Sequence, residues 1–137
     1  MGSRTVWAGD ELGRASALKL VCNAWVASVN AAVGQSVALA EAMGLDPRLF
    51  LDAIKGGGTD TPYAHLKGSQ MIDGAFPTAF ALDGVIKDLS LISAAAEDAQ
   101  VDATLLTALR QTYEKASGLG HGGADMGAVV TALRPSR

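Results

Sequence analysis

The sequence predicts an all-α domain, and three observations carry that expectation. Apolar residues recur at helical spacing along nearly the whole chain of 137 residues, of which 49% are hydrophobic. Aromatic residues make up only 5% while alanine is abundant, so the core must be built from helices that approach closely. The single β-prone stretch, Thr5-Val6-Trp7-Ala8, has no partner strand elsewhere in the sequence.

The elements follow in order. Asp10 and Glu11 supply an acidic start for a long helix over residues 13–43, ended by Gly44. Leu18, Cys22, Trp25, Val29, Ala32, Ser36 and Leu39 mark its apolar stripe, and Val21, Val26, Val33 and Val37 widen that stripe almost all round. Trp25 and Phe50 read as core, and Cys22 as a small buried hydrophobe. Asp46-Pro47 opens a second helix through Lys55, closed by Gly56-Gly57-Gly58. Thr61-Pro62 starts a third to Ile72, stopped by Asp73-Gly74. A fourth covers residues 82–99, and Asp102 caps a fifth over 103–117. After the glycine-rich run 118–123, Asp125 opens a short last helix to Leu133.

Composition bounds function. A net charge of −3 with no basic patch argues against nucleic acid as a partner. One cysteine rules out an internal disulfide and fits a reducing compartment, so a cytoplasmic location is expected. Polar residues Asn23, Asn30, Gln35 and Glu41 interrupt the long helix, which therefore reads as a buried helix of a soluble domain and not as a membrane span. His65 and His121 lack companions at metal-ligand spacing, so no metal is expected. Gly118, Gly120 and Gly123 match G-x-G-x-x-G, but the run follows a helix and not a strand, so it is no dinucleotide site.

Lys19 is the first candidate for chemistry. On a helix, Asn23 lies about 40° and Asn30 about 20° from it, giving one narrow polar stripe. The Lys19–Asn23 pair presents an ammonium and a carboxamide one turn apart, suited to gripping a hydroxyl while the lysine moves a proton. That role requires burial to desolvate the ammonium. A lysine snorkelling into water is the competing reading.

The residues around Lys19 resemble the interdomain-helix motif of the β-hydroxyacid dehydrogenases, the 3-hydroxyisobutyrate dehydrogenase-like family. Gly13, Lys19 and Asn23 fall on that family's glycine, catalytic lysine and substrate-binding asparagine, with Ala15 and Cys22 as departures. The segments 40–46, 80–89 and 120–125 resemble further stretches of the same family. The resemblance implies a 6-phosphogluconate dehydrogenase C-terminal-like helical domain, one long interdomain helix with four to five shorter ones. It implies Lys19 as catalytic residue, Asn23, Phe80 and Lys87 as substrate-binding residues, and Lys87 also beside the nicotinamide, with Asp88 orienting or pairing locally.

It further implies NAD or NADP in a full-length enzyme, a small β-hydroxy or oxo acid as substrate, and a nucleotide-binding domain absent from this chain. Residues 1–12 would be the end of that domain and 13–137 the helical substrate and dimerisation domain, inactive alone and binding no cofactor alone. The related glyoxylate/succinic semialdehyde and tartronate semialdehyde reductases stay open. The alternative from another class is a non-catalytic all-α oligomerisation module. Either way, so long an apolar helix needs more cover than this chain supplies, which predicts a homo-oligomer, a dimer or tetramer.

Overall fold

A computed structural model describes residues 13–136. The β-prone stretch at 5–8, the acidic start at Asp10 and Glu11, and the expected domain remnant 1–12 lie outside the described residues. Those described form six α-helices: α1 Arg14–Ala42, α2 Arg48–Ile54, α3 Pro62–Asp73, α4 Leu82–Asp98, α5 Thr104–Ala116 and α6 Val130–Leu133. Five-residue π-type turning at Ser117–His121 follows α5, and a 3₁₀ turn at Met126–Val129 leads into α6. The short last helix expected from Asp125 onward is therefore a 3₁₀ turn continued by a single α-turn.

Local chemistry explains the boundaries. Thr61 caps α3 by accepting the Ala64 N–H at 3.0 Å, with Pro62 opening the helix. Asp46 accepts the Arg48 N–H at 2.9 Å, and Asp102 accepts that of Thr104 at 2.8 Å. Gly44 and Gly74 leave their helices in the left-handed region, at φ 80° and 69°. The G-x-G-x-x-G run holds the π-type turn, with Gly120 at φ 101°, and it follows directly on helix α5.

The core collects on the second half of α1. Ala27, Ala31, Val37 and Ala38 are buried there against Met71 of α3, Leu82, Val85 and Leu89 of α4, Tyr113 of α5, and 128–130. Close approach does the work that large side chains do elsewhere. At Gly34 an added Cβ would lie 3.3 Å from Leu133 Cδ1 and 3.5 Å from Val130 Cα, so α6 is seated directly on the α1 backbone. Gly34→Val is expected to cost about 1–3 kcal/mol by overpacking, read as a lower urea midpoint at unchanged slope. An unchanged midpoint would mean that α6 does not sit there.

The first half of α1 is different. Val21 and Trp25 are 65% and 67% exposed, and Cys22 is exposed as well. The assignments of Trp25 to the core and of Cys22 to a buried site are thereby corrected, while Phe50 does pack against the core. The chain leaves much of this helix uncovered, as expected of an apolar helix too long for it. Burial is complete only along one face from Ala27 to Ala38, with Leu20, Ala24 and Val26 partly covered before it. By length and composition α1 would suffice to cross a membrane, a test that core helices also pass, and 22% of its most apolar window is buried. Periodicity identifies apolar positions, but not whether the chain holds enough protein to cover them.

Candidate active site

Two elements carry most of the expected residues, and one contact joins them. Asn23, half-buried on α1, donates from Nδ2 to Asp88 Oδ2 on α4 at 3.4 Å. Lys19 stands one turn earlier on α1 and Lys87 beside Asp88 on α4, both exposed. Gly84 precedes Lys87 and Asp88 by three and four residues, so the three share a face of α4. Phe80 joins that face from the preceding loop: an added Cβ on Gly84 would lie 3.0 Å from its ring, so any larger residue would press the ring off its seat by a few tenths of an ångström. Phe80 itself is 46% exposed.

Two expectations change at this point. Lys19 is not held in an apolar environment: its side chain is exposed, although Leu20 beside it packs against the core from the other face of α1. Nor does the polar stripe run on to Asn30. That side chain is fully buried, donating from Nδ2 to the Tyr113 hydroxyl at 2.9 Å and to the Met126 carbonyl at 3.0 Å. Tyr113 in turn donates to the Ala27 carbonyl at 2.7 Å. A helical stripe is an angle and not an environment, and α1 passes from open surface to core between Lys19 and Asn30.

Behind the Phe80 loop lies a buried ion pair that sequence reasoning passed over. Lys67 Nζ on α3 donates to Asp125 Oδ2 at 2.7 Å, with the two side chains 6% and 0% exposed. The same carboxylate accepts the N–H groups of Ala79 at 3.1 Å, Phe80 at 3.2 Å and Gly127 at 2.9 Å. Burial alone would raise the Asp125 carboxyl, but the Lys67 ammonium and those N–H groups outweigh it and hold it below the usual carboxylate range. A signal was present. Ala64, Lys67, Gly68 and Met71 form one helical stripe on α3, and Lys67 is its only charged member.

The network also restrains both tyrosines of the chain. Tyr63, whose hydroxyl donates to Met126 Sδ at 3.7 Å, is pushed up to about 12 by burial and by the Asp125 charge. Burial pushes Tyr113 up as well. An alkaline titration followed at 295 nm is therefore expected to give no tyrosinate near pH 10 in the folded chain, and both tyrosines near about 10 in concentrated urea. Ordinary titration of either tyrosine in the folded chain would contradict the buried network.

A separate cavity of about 320 Å³ lies between α1, α2 and the start of α3, lined by Trp25, Val29, Phe50, Ile54 and Thr61 among others. Trp25 is about 160° round α1 from Asn23, so this groove is not part of the α1–α4 site. Among the described residues, no group of three His, Cys, Asp or Glu is placed to hold a metal ion. His65 instead meets Asp60 at 2.6 Å.

Residues 13–133 match the family model described as NAD-binding of NADP-dependent 3-hydroxyisobutyrate dehydrogenase. The chain is 31% identical over its whole length to the chloroplastic glyoxylate/succinic semialdehyde reductase 2 of Arabidopsis thaliana, covering 38% of that protein. It is 28% identical over 132 residues to the cytokine-like nuclear factor N-PAC of Anopheles gambiae, covering 96% of this chain and 23% of that one. Among solved structures, a 3-hydroxyisobutyrate dehydrogenase of Salmonella typhimurium shares the fold with a TM-score of 0.83 at 22% identity, covering 90% of this chain and 44% of that one. That of Mycobacterium tuberculosis, in a structure with L-serine, gives 0.78 at 25% identity, again covering 90% of this chain and 44% of that one. The chain thus spans less than half the length of each of these relatives.

Proposed function

Because the chain belongs to the family of the NAD-binding domain of NADP-dependent 3-hydroxyisobutyrate dehydrogenase, we propose that it is the C-terminal, substrate-side half of an NAD(P)-dependent oxidoreductase acting on a small β-hydroxy acid or the matching oxo acid. The observation that carries this reading is the Asn23–Asp88 contact, which joins the Lys19 turn of α1 to the Lys87 turn of α4 across the fold.

In the proposed mechanism, Asn23 holds the substrate hydroxyl or carboxylate, its orientation set by the Nδ2 contact with Asp88. Lys19 is exposed in this chain, so its step requires the nucleotide-binding domain to cover this turn and desolvate it. The neutral amine so formed accepts the hydroxyl proton at Nζ as the alcohol is oxidised, and returns it in the reverse direction. Lys87 offers a cation to the carboxylate or to the cofactor edge, and the exposed Phe80 ring supplies an apolar wall. When bound, the nicotinamide supplies the hydride acceptor. An exposed cation beside an exposed ring fits the edge of such a group. The pyrophosphate grip would lie in a nucleotide-binding domain outside this chain, since the glycine run here turns directly out of helix α5. Residues 1–12 are proposed to be the end of that domain.

The exposed first half of α1 supports both a covering domain and self-association, and the groove beside Trp25 offers a second copy an apolar seat. A dimer or tetramer in a reducing, cytoplasmic setting is the state proposed. Light scattering at micromolar concentration tests it, and a clean monomer would contradict it.

The catalytic reading is tested by joining this chain to the nucleotide-binding half of the Arabidopsis reductase and following NAD(P)H with 3-hydroxyisobutyrate, glyoxylate and succinic semialdehyde. Turnover that disappears in Lys19→Ala supports it; a joined protein that binds NAD(P)H but turns over none of the three overturns it. The exposed apolar α1 surface favours a second reading, a non-catalytic association module. A joined protein that assembles but never turns over would establish that one.

A further inference from the structure

We propose that Asp125, with Lys67 behind it, is a positioning residue that sets where Phe80 stands in the site. The inference rests on the reading of the α1–α4 junction as an active site. As the cap of the 3₁₀ turn, Asp125 needs only its contact to the Gly127 N–H. It makes three more. Oδ1 takes both the Ala79 and Phe80 N–H groups, at 3.1 and 3.2 Å, and Oδ2 takes the Lys67 ammonium.

Main-chain contacts repeat the grip on either side. Phe80 accepts the Met126 N–H and Ala124 accepts that of Leu82, both at 2.9 Å. Ala81 and Asp125 form an isolated antiparallel bridge. Residues 79–82 are thus held on one flank, while the Phe80 side chain emerges from the other and comes to rest on Gly84.

An apolar pair of the same size would stabilise the core about as well as a buried ion pair. It could not accept two successive N–H groups from the loop that carries an exposed aromatic ring. The carboxylate does, and Lys67 keeps it ionised and aimed. Directional contacts of this kind are what hold a substrate-facing group to within about 0.5 Å of its working position.

Two double variants of the joined enzyme separate positioning from bulk stability. Both remove the buried charge pair: Lys67→Met with Asp125→Asn keeps an oxygen able to accept from Ala79 and Phe80, whereas Lys67→Met with Asp125→Ala does not. The alanine pair is expected to lose roughly 10- to 100-fold in kcat/KM, carried mainly by KM, and the asparagine pair to recover most of it. Amide exchange at Ala79 and Phe80 in this chain should be fast in the alanine pair and slow in the asparagine pair. Equal kinetics in two folded double variants would overturn the proposal, as would equal exchange. A parent joined enzyme without turnover would instead remove the active-site reading, with the exchange result still deciding whether Asp125 holds the loop.

Discussion

Replacing Lys67 alone by methionine is expected to destabilise the domain by about 3–5 kcal/mol, because it leaves the Asp125 carboxylate buried with its ammonium partner gone. In a domain of this size that is a fall in Tm of roughly 10–25 °C. Adding Asp125→Asn to Lys67→Met should recover much of the loss, since no charge then stays buried. The pH dependence separates this from simple cavity formation. The Asp125 carboxyl is held below its ordinary value in the folded chain, so the folded state binds fewer protons there than the unfolded state as the pH falls. Its contribution is fully present above the unfolded value, about 4, and is lost as the pH drops through the folded value. Urea midpoints from pH 7 down to 2.5 should therefore fall more steeply for the native chain than for the charge-free pair. Parallel curves would show that the ion pair adds nothing.

Replacing Lys19 by alanine in the joined enzyme is expected to lower kcat by about 10²–10⁴-fold with little change in KM, the scale of a lost general base. Lys19→Arg distinguishes the two things that a cation can do at this position. A guanidinium holds an anion as well as an ammonium does, but it does not give up its proton in a protein. Arginine should leave the activity lost if Lys19 moves a proton, and should rescue it if Lys19 only binds a carboxylate. Because Lys19 lies on the exposed part of α1, neither change should move the unfolding midpoint of this chain. Unchanged turnover in Lys19→Ala would sink the assignment.

How far the sequence could be read depended on the range of the interaction. Caps and stops were legible because they act within a turn or two: Thr61 with Ala64, Asp102 with Thr104 and the left-handed glycines after α1 and α3 stand where their residue types put them. The site was half legible. Lys19 and Asn23 declare themselves by one-turn spacing, but Asp88 joins Asn23 from 65 residues away, and no periodicity carries that information. Lys67 was readable in principle as a charge on an apolar stripe, yet its partner lies 58 residues on. Trp25 was misplaced for a different reason: helical phase says which residues line up, and only the number of neighbouring helices says whether anything covers them.

The uneven cover of α1 gives the helix a mechanical character. Its second half is clamped in the core from Ala27 to Ala38, while the turn bearing Lys19 is held more lightly, by Leu20 and Ala24 packed along one face. From Asn30 to Lys19 the arm is about 17 Å long, so each degree of tilt at the clamp swings the Lys19 Cα by about 0.3 Å. The proton transfer proposed for Lys19 would tolerate little of this, since a displacement near 1 Å can cost about 10²-fold. The helix is thus a lever whose Lys19 end is braced part-way along by the Asn23–Asp88 contact. Under the role proposed for Lys19, loosening that brace would detune the chemistry without touching the lysine itself.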